Sequence, residues 1–302
     1  MGCHVPEDSI GNELAGCPIC GDSNSVAIFS IQENPTVELN KCASCKIAYA
    51  SRLPLSNFLS SYYSTYYMGH NGDANVTTDS VKRFANHISR VVLKKYARNP
   101  SEVFKVLDYG GGDGSIGAKV AEIIGKKKSM STSIDVFENE SSIDGLKKVE
   151  KCKYLFIESD LRGDYDLIIA SGVLEHVKNP LDVLKMLLNL LAPGGIIYIR
   201  TPYVVPTHRL LSYFGLKQDF GYPAHFFDFS PQCWDKILVL ASDYKDSIQI
   251  VHSGASPSEV GIMKKPVLAL ITLIFKLPTR FGFKHWPFCG GFEVLIGKNL
   301  KA

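Results

Sequence analysis

Short apolar runs alternate with amphipathic stretches from residue 103 onward. The bounded apolar runs predict strands at Val103–Tyr109, Ser131–Phe137, Tyr154–Ile157, Asp166–Ala170 and Ile196–Arg200. Between them, helical periodicity predicts helices at Ser115–Gly125, Ser141–Val149 and from Pro180 to about Leu191, the last with Asn179 as its N-cap. Strands that alternate with helices are typical of an α/β fold with a doubly wound, parallel sheet.

The region before this alternation has a different pattern. Residues 57–75 are rich in tyrosine and serine. A helix is then predicted from about Ser80 to Arg98, because its apolar residues fall on one face. That face must pack against another part of the protein.

After Pro206 the pattern loosens. The elements predicted there are a helix from Ser230 to about Leu240 and strands at Ser247–Val251 and Phe292–Ile296. The intervening residues 253–290 contain the longest apolar run, Pro266–Phe275, whose length is roughly half of what a membrane-spanning helix needs. Because basic residues flank this run, 260–280 is either a peripheral membrane contact or a buried helix or dimer contact.

Charge and the N-terminus restrict the class of protein. The 302 residues include 33 basic and 30 acidic side chains, for a formal net charge of +3. This charge gives no positive surface for a nucleic-acid partner. The first residues lack the basic and apolar regions of a signal peptide, which predicts a cytoplasmic chain. The eight cysteines therefore need an explanation other than secretion.

Four of the cysteines form two close pairs. Cys17 and Cys20 are separated by two residues, as are Cys42 and Cys45. Four thiolates suit one tetrahedral Zn²⁺ with no open coordination position, which would make the ion structural. We therefore predict a zinc-ribbon module over residues 1–50 that its metal helps to fold. The alternatives are four unrelated buried thiols or a redox pair, although neither pair opens a helix after a strand.

A glycine-rich turn joins the first predicted strand of the sheet to the helix that follows it. Glycines let the backbone turn tightly and approach a ligand, and the start of the helix offers N–H donors. Residues Gly112 to Gly117 fit the dinucleotide pattern G-x-G-x-x-G, which keeps an NAD-dependent oxidoreductase open. Asp108 and Asp113 would repel a pyrophosphate, however, and they favour the cationic S-adenosylmethionine.

The turn resembles motif I of class I S-adenosylmethionine-dependent methyltransferases, D/E-x-G-x-G-x-G, through Asp108, Gly110, Gly112 and Gly114. Three further stretches resemble that family in the right order. They are Ser133–Asp135 at the end of the second strand, Tyr165–Val177 at the fourth strand, and Leu191–Ile199 with its Pro-Gly-Gly turn. The resemblance implies a Rossmann-like sheet of seven strands, with the motif I residues binding the cofactor.

Further cofactor contacts are implied by the same resemblance. Asp135 is expected to bind the ribose hydroxyls, and Asp160 the adenine amino group, although the stretch around Asp160 is shorter than usual in the family. Ser171 lies at the end of the fourth strand and is expected to line the site. Tyr63, one of four clustered tyrosines with Tyr62, Tyr66 and Tyr67, is expected to close over the sulfonium cation. Packing of the cysteine module against the core is the equal alternative for these tyrosines.

A zinc module joined through a Tyr-rich segment to such a core resembles bacterial enzymes that methylate sugars of antibiotics and surface polysaccharides. The implied domains are the zinc ribbon over 1–50, a Tyr-rich linker and lid helix over 51–100, and the methyltransferase domain over 101–302. Within the last, 203–290 is expected to hold an acceptor-covering loop and a variable insertion. The resemblance implies O- or C-methylation. The chain is much shorter after the fifth strand than the larger sugar C-methyltransferases, which argues against C-methylation in particular.

The acceptor must lie at the carboxyl edge of the sheet, aligned for in-line displacement and often deprotonated. Glu175 and His176 follow the fourth strand directly, which makes His176 the first candidate base. His225, in the loop before the Ser230 helix, is the second. The other histidines are assigned no chemistry: His208 is expected in a solvated loop, and His70 and His87 as structural or surface residues.

Three functions are consistent with binding of S-adenosylmethionine, beside the oxidoreductase that the G-x-G-x-x-G match keeps open. The first is methyl transfer to a sugar, either nucleotide-linked or part of a glycan. The second is O-methylation of a quinone or other phenolic small molecule. The third is a non-catalytic cofactor-binding protein whose zinc module docks a partner. The sequence does not assign the acceptor or the oligomeric state.

Overall fold

The computed structural model describes residues 3–69, 78–96, 103–125, 129–134, 152–155, 160–216, 219–241, 248–257, 274–279, 281–283 and 286–300. Several predictions fall outside these residues, namely the helix at Ser141–Val149, His70, Asp135, and most of the segment 260–280. The side chains of Tyr66 and Tyr67 are also outside the description.

The described elements alternate between strands and helices through most of the chain. After a 3-10 turn at Glu7–Ser9, they are β1 (Ser25–Glu33), β2 (Thr36–Cys42), β3 (Ala48–Ala50), α1 (Ser56–Gly69), α2 (Thr78–Leu93), β4 (Phe104–Tyr109), α3 (Ser115–Gly125), β5 (Ser129–Ile134), β6 (Cys152–Leu155), β7 (Tyr165–Ser171), α4 (Pro180–Leu190), β8 (Leu191–Tyr203), α5 (Val205–Tyr213), β9 (Phe227–Asp228), α6 (Cys233–Leu240), β10 (Ile248–Ala255) and β11 (Gly290–Lys298).

The larger sheet confirms the predicted α/β class. Its strands lie in the order β10-β11-β8-β7-β4-β5-β6. Strands β4 to β8 run parallel, while β11 is antiparallel to both of its neighbours. Because β4 pairs with β5 on one side and β7 on the other, the strand order reverses at β4. In such sheets, ligands bind outside the carboxyl ends of the strands at this reversal.

Two apolar layers enclose this sheet. On one face, α2 and α3 contribute Ala85, Ile88 and Val120 to a cluster with Tyr198 of β8 and Leu295 of β11. On the other face, leucines of α4 and the Trp234 side chain of α6 pack with Ile197 and Val294. Alternate residues of β8 and β11 therefore face opposite layers, as the pleat of a strand requires.

A smaller sheet joins the N-terminal residues to the segment around β9. Its order is β1-β2-β3-β9, so a strand from late in the chain completes it. Tyr49 of β3 pairs with Phe227 of β9, and the Ala50 N–H donates to the Phe226 carbonyl at 2.9 Å. The Ser230 hydroxyl also donates to the Lys46 carbonyl at 3.0 Å. Residues 1–50 thus pack directly on residues 226–230.

Helix α5 forms where the sequence pattern predicts only a loop. The Asp228 carboxylate accepts the Val204 N–H at 2.7 Å and the Val205 N–H at 3.3 Å, which satisfies donors at the start of the helix. Burial raises the pKa of Asp228 to about 7, although these two N–H groups oppose the shift. The helix places His208 half-buried against the Phe29 ring, with 6.1 Å between ring centroids. The prediction of a solvated loop histidine is therefore wrong.

Strand β8 begins five residues before the predicted start at Ile196 and includes the Pro-Gly-Gly sequence. Leu191 already pairs with Tyr165 of β7, and an irregularity between Tyr165 and Leu167 absorbs the extra residues. Gly194 has a φ of +78°, which an L side chain rarely adopts. A backbone irregularity of this kind leaves no mark in a hydrophobic pattern.

Among the described helices, not one has the length and apolar character that crossing a membrane demands.

Candidate active site and cysteine cluster

The glycine-rich turn between β4 and α3 is held by two carboxylates. Asp108 is 3% exposed, and its Oδ2 accepts the Gly117 N–H at 2.8 Å. Asp113 accepts the Ser115 N–H at 2.9 Å and the Ser115 hydroxyl at 2.7 Å. Donors at the start of α3 are thus already bound to anions. A pyrophosphate would compete with both carboxylates for these donors, and a cationic ligand would not.

Close packing explains two of the glycines in this turn. A Cβ on Gly110 would lie 2.3 Å from a Val173 methyl carbon, and Gly110 has a φ of +69°. A Cβ on Gly117 would lie 2.7 Å from Asp108 Oδ2. Side chains at these positions would displace the loop after β7 or the Asp108 carboxylate. The turn is therefore fixed by backbone geometry and steric fit.

A cavity of about 540 Å³ opens at the carboxyl ends of β7 and β8. Its charged and hydrogen-bonding side chains include Ser171, Glu175, His176, Arg200, His225 and Lys276. Cavities of this size hold small molecules. The cavity thus lies at the edge of the sheet where the sequence predicts the acceptor.

His176 has a defined tautomer. Its Nδ1 lies 3.0 Å from the Ala224 carbonyl, which can only accept, so Nδ1 carries the proton and Nε2 does not. The Tyr63 hydroxyl lies 3.5 Å from the same Nδ1. Burial and the neighbouring His225 lower the pKa of His176 to about 4, against a smaller opposing effect of the Ala224 carbonyl. The imidazole is therefore neutral at pH 7.

His225 and Glu175 lie beside this ring. The His176 and His225 ring centroids are 4.7 Å apart, and His176 Nε2 lies 3.9 Å from Glu175 Oε1. One ligand atom from each of the three side chains lies within 4.8 Å of the others. We name Glu175, His176 and His225 the open cluster. The structure brings together the two candidate bases that the sequence proposes as alternatives.

A second cluster of the same composition lies between the sheet and α2. Glu293 is 2% exposed and accepts hydrogen bonds from His87 Nε2 at 2.8 Å, the Tyr198 hydroxyl at 2.9 Å and His252 Nε2 at 3.4 Å. Burial tends to raise the pKa of Glu293, but the hydrogen bonds from His252 and His87 outweigh it and lower the pKa. We name Glu293, His87 and His252 the closed cluster.

A family model described as a methyltransferase domain matches residues 80–238. The chain belongs to this methyltransferase family. It is an S-adenosylmethionine-dependent methyltransferase, which confirms the enzyme class predicted from motif I. The oxidoreductase and non-catalytic alternatives are set aside by the same match.

Curated proteins are similar to this methyltransferase over part of its length. The ubiquinone biosynthesis O-methyltransferase of Vibrio parahaemolyticus is 30% identical over 105 residues, which are 32% of this chain and 43% of that protein. The probable polyketide synthase 39 of Dictyostelium discoideum is 24% identical over 177 residues, which are 50% of this chain and 6% of that one. The chain thus spans less than half the length of these relatives.

Solved structures show the same fold. The plantazolicin methyltransferase BpumL, in complex with SAH, is 17% identical with a TM-score of 0.52, and the match covers 78% of this chain and 90% of that one. Its complex with a triazolic desmethylPZN analogue and SAH also has a TM-score of 0.52, at 16% identity, with coverage of 80% and 95%.

Four residues outside the glycine-rich turn were predicted to contact the cofactor, and they lie in different parts of the structure. Ser171 lines the cavity, where its hydroxyl accepts a hydrogen bond from Arg200 Nε at 2.8 Å. Tyr63 lies beside His176 rather than in the glycine-rich turn. Asp160 is exposed, and Asp135 lies beyond the described residues. The contacts of these four residues with the cofactor remain predictions.

Two cations of the cavity wall were missed by the sequence analysis. The Arg200 guanidinium lies 5.0 Å from the centroid of the Phe84 ring, and the Lys276 ammonium donates to the Ser256 carbonyl at 2.7 Å. Arg200 is the charged residue of the apolar strand β8 and lies near its carboxyl end. Its position could therefore have predicted a place in the cavity wall. Lys276 could not have been predicted in this way, because it lies in the segment 253–290, to which the hydrophobic pattern assigns no element.

The four paired cysteines of the methyltransferase converge. Sγ atoms of Cys17 and Cys45 are 3.5 Å apart, as are those of Cys20 and Cys42, and all four lie within 4.8 Å of one another. A tetrahedral Zn²⁺ with Zn–S bonds of about 2.3 Å places its sulfur atoms roughly 3.8 Å apart. The thiols therefore fit one zinc ion. Positive φ values at Gly21 and Lys46 turn the chain just after each pair.

Proposed function

We propose that this methyltransferase transfers the methyl group of S-adenosylmethionine to a hydroxyl oxygen of a small, polar acceptor bound in the cavity. The observation that supports this proposal is the open cluster, whose three residues all line the cavity at the carboxyl edge of the sheet. The reversal of strand order at β4 puts the glycine-rich turn at the same edge.

For the cofactor, we propose binding at the motif I turn by the backbone around Gly110, Gly112 and Gly114. The buried Asp108 supports the turn and supplies negative charge near a cationic ligand. Asp135 and Asp160 are proposed for the ribose and adenine, with Ser171 and Tyr63 at the boundary between the cofactor and the acceptor. S-adenosylmethionine supplies an electrophilic methyl group when it is bound.

The acceptor must lose a proton as its oxygen gains the methyl group. A C–O bond forms, the C–S bond breaks, and the hydroxyl proton passes to a base. We propose that His176 Nε2 receives it, because the Ala224 carbonyl keeps the proton of the ring on Nδ1, but the lowered pKa of His176 makes the ring a weak base that needs a nearby negative charge. Glu175 lies 3.9 Å from this nitrogen, where its charge would stabilise the protonated ring.

A sugar is the first acceptor class that we propose. The cavity wall carries hydroxyl, carboxylate, imidazole, guanidinium and ammonium groups, which suit a ligand with many hydroxyls. Arg200 and Lys276 would also attract an acidic group such as a phosphate on a nucleotide-linked sugar. A phenolic acceptor is the second candidate, supported by the similarity to the ubiquinone biosynthesis O-methyltransferase.

Calorimetric titration with S-adenosylhomocysteine tests the cofactor site. We expect micromolar binding that weakens at least about tenfold in Asp135→Ala, because a ribose contact is lost. Asp182→Ala, a change in the first turn of α4, is the matched control and should bind normally. Absence of binding to the folded wild type would refute the proposal. Release of S-adenosylhomocysteine with sugar nucleotides and with catechols then distinguishes the two acceptor classes.

We also propose that the four cysteines bind one structural Zn²⁺. Metal analysis of the purified chain should give one zinc ion per chain, lost in Cys17→Ser and Cys42→Ser because three thiolates hold zinc less tightly than four. Cys3→Ser changes an exposed cysteine outside the cluster and should keep the ion. Full retention of zinc in both cluster variants would contradict the assignment.

A further inference from the structure

We propose that the open cluster binds a divalent metal ion that holds and activates the acceptor. This inference rests on the proposed methyl transfer to a hydroxyl oxygen and replaces one step of it, because a metal-bound hydroxyl would lose its proton to water and not to His176. Glu175, His176 and His225 supply one carboxylate oxygen and two imidazole nitrogens, with ligand atoms within 4.8 Å of one another. Two histidines and one carboxylate bind metal on one face and leave other coordination positions open.

The distances accommodate an ion. Bonds from nitrogen or oxygen to divalent metals are about 2.0–2.2 Å long, so two ligands of one ion lie about 3 Å apart when they are adjacent and up to about 4.4 Å apart when they are opposite. His176 Nε2 and Glu175 Oε1, at 3.9 Å, are within that limit. They are also too far apart for a direct hydrogen bond. An ion between them would bond to both atoms without moving either side chain far.

The hydrogen bonds around His176 are those of a metal ligand. A ligating histidine usually donates its other ring N–H to a carbonyl or carboxylate, which fixes the tautomer and the ring orientation. Here Nδ1 donates to the Ala224 carbonyl, and Nε2 is left for coordination. The residue that provides this carbonyl is adjacent to His225 in the chain. One peptide segment therefore orients one ligand and carries another.

The backbone holds the two loops of the cluster together. The Phe226 N–H donates to the Glu175 carbonyl at 2.8 Å, and the N–H groups of Ala224 and His225 both donate to the Gly221 carbonyl at 3.0 Å. His225 is thus positioned relative to Glu175 by bonds that do not involve either side chain. Such support is what a metal site needs before the ion arrives.

The closed cluster provides the internal contrast. It has the same three side-chain types, but His87 Nε2 and His252 Nε2 donate directly to Glu293, at 2.8 and 3.4 Å. In the open cluster, by contrast, one ligand atom from each of the three side chains lies within 4.8 Å of the others. The open cluster also faces a cavity of about 540 Å³, which would admit the acceptor to the remaining coordination positions.

An ion at this position defines the acceptor chemistry. A divalent cation binds two neighbouring oxygens and lowers the pKa of a bound hydroxyl, as it does for water. The hydroxyl proton then leaves to water before the C–O bond forms, and His176 acts as a ligand rather than as the base. The acceptor class is a compound with adjacent oxygens, which a sugar diol and a catechol both provide.

Titration with Mn²⁺ tests the inference, because Mn²⁺ prefers nitrogen and oxygen ligands to thiolates and so avoids the cysteines. The full chain, carrying its zinc, is titrated while the signal of free Mn²⁺ is followed by electron paramagnetic resonance. We expect one Mn²⁺ per chain, with affinity reduced at least about tenfold in Glu175→Gln and His225→Ala. His252→Ala makes the same change in the closed cluster and should bind like the wild type.

The outcomes separate this inference from the proposed function. Binding of S-adenosylhomocysteine without binding of Mn²⁺ would overturn the metal site alone. Equal Mn²⁺ binding by wild type and both open-cluster variants would overturn it as well. If His225→Ala does not fold, His225→Gln gives the same test with a side chain of similar length. Methyl transfer to a diol should be lost when Mn²⁺ is removed by gel filtration, with the zinc content unchanged, and restored by adding Mn²⁺.

Discussion

Two clusters of one glutamate and two histidines lie in the same molecule and differ in what their atoms bind. In the closed cluster, the imidazoles of His87 and His252 donate to Glu293, which is further bonded to the Tyr198 hydroxyl. In the open cluster, His176 donates to a backbone carbonyl, and its second nitrogen lies 3.9 Å from Glu175. Identical side chains thus give one internally bonded group and one group directed at a cavity.

The difference between the two clusters shows that residue types alone do not determine the role of a cluster. A buried carboxylate costs free energy unless hydrogen bonds or opposite charge compensate it. The closed cluster achieves this with its own side chains, and so it stabilises the packing of α2 on the sheet. The open cluster has two imidazoles whose positions are set by the backbone, and its site faces the cavity. Changing one residue in each cluster separates the two roles.

The largest expected effect is on activity in His176→Ala. We expect kcat/KM to fall about 10²- to 10⁴-fold, whether His176 takes the acceptor proton itself or holds the ion that releases it, with little change in the unfolding temperature. The matched change His252→Ala in the closed cluster should leave kcat/KM near the wild-type value. Steady-state kinetics and thermal unfolding of both variants make the comparison. Normal activity in His176→Ala would remove the open cluster from the catalytic site.

A smaller effect, on stability, is expected in Glu293→Gln. The amide cannot accept hydrogen bonds from both imidazoles and the Tyr198 hydroxyl, so we expect a loss of about 1–3 kcal/mol in the free energy of unfolding. Urea denaturation measures this loss. Glu175→Gln should lower activity more and stability less than Glu293→Gln. If Glu293→Gln instead lowered activity more and stability less than Glu175→Gln, the closed cluster would have the catalytic role and the open cluster the structural one.

The smallest effect is a pH dependence of stability from Glu293. Its pKa in the folded protein lies below the ordinary value of 4.5, so folding favours the ionised form. The resulting stabilisation is complete above pH about 4.5 and is lost as the pH falls through the folded pKa. The difference in unfolding free energy between wild type and Glu293→Gln should therefore shrink on acidification below pH 4.5. A difference that grows instead would mean that the pKa is raised.

Local patterns were sufficient for the central sheet and the glycine-rich turn. Helix α3 has the predicted bounds, Ser115–Gly125, and the predicted parallel strands appear as β4 to β8. Each of these elements can be predicted from the hydrophobic periodicity and the glycine positions of its own short stretch of sequence. The location of Glu175 and His176 could also be predicted from the sequence, because residues that follow a parallel strand lie at the carboxyl edge of the sheet.

Features that depend on distant residues could not be predicted in this way. Helix α5 begins where the carboxylate of Asp228, more than twenty residues later in the chain, accepts its first N–H groups. The closed cluster joins His87 of α2 to strands β10 and β11, which are far away in sequence. Likewise, nothing local shows that Ala224 orients His176. Each case needs a tertiary contact that one-dimensional periodicity does not contain.

The pairing of β9 with β3 has a consequence for allosteric coupling. Residues 226–230 are bonded both to β3 and to the Lys46 carbonyl beside Cys45, and they directly follow His225. Ordering of the four cysteines by zinc would therefore be thermodynamically linked to ordering of the acceptor wall, while the motif I turn lies on separate elements. Zinc removal is expected to raise the KM for the acceptor more than the dissociation constant for S-adenosylhomocysteine. If zinc binds as proposed, the N-terminal sheet would then act as an effector domain for one substrate of the two.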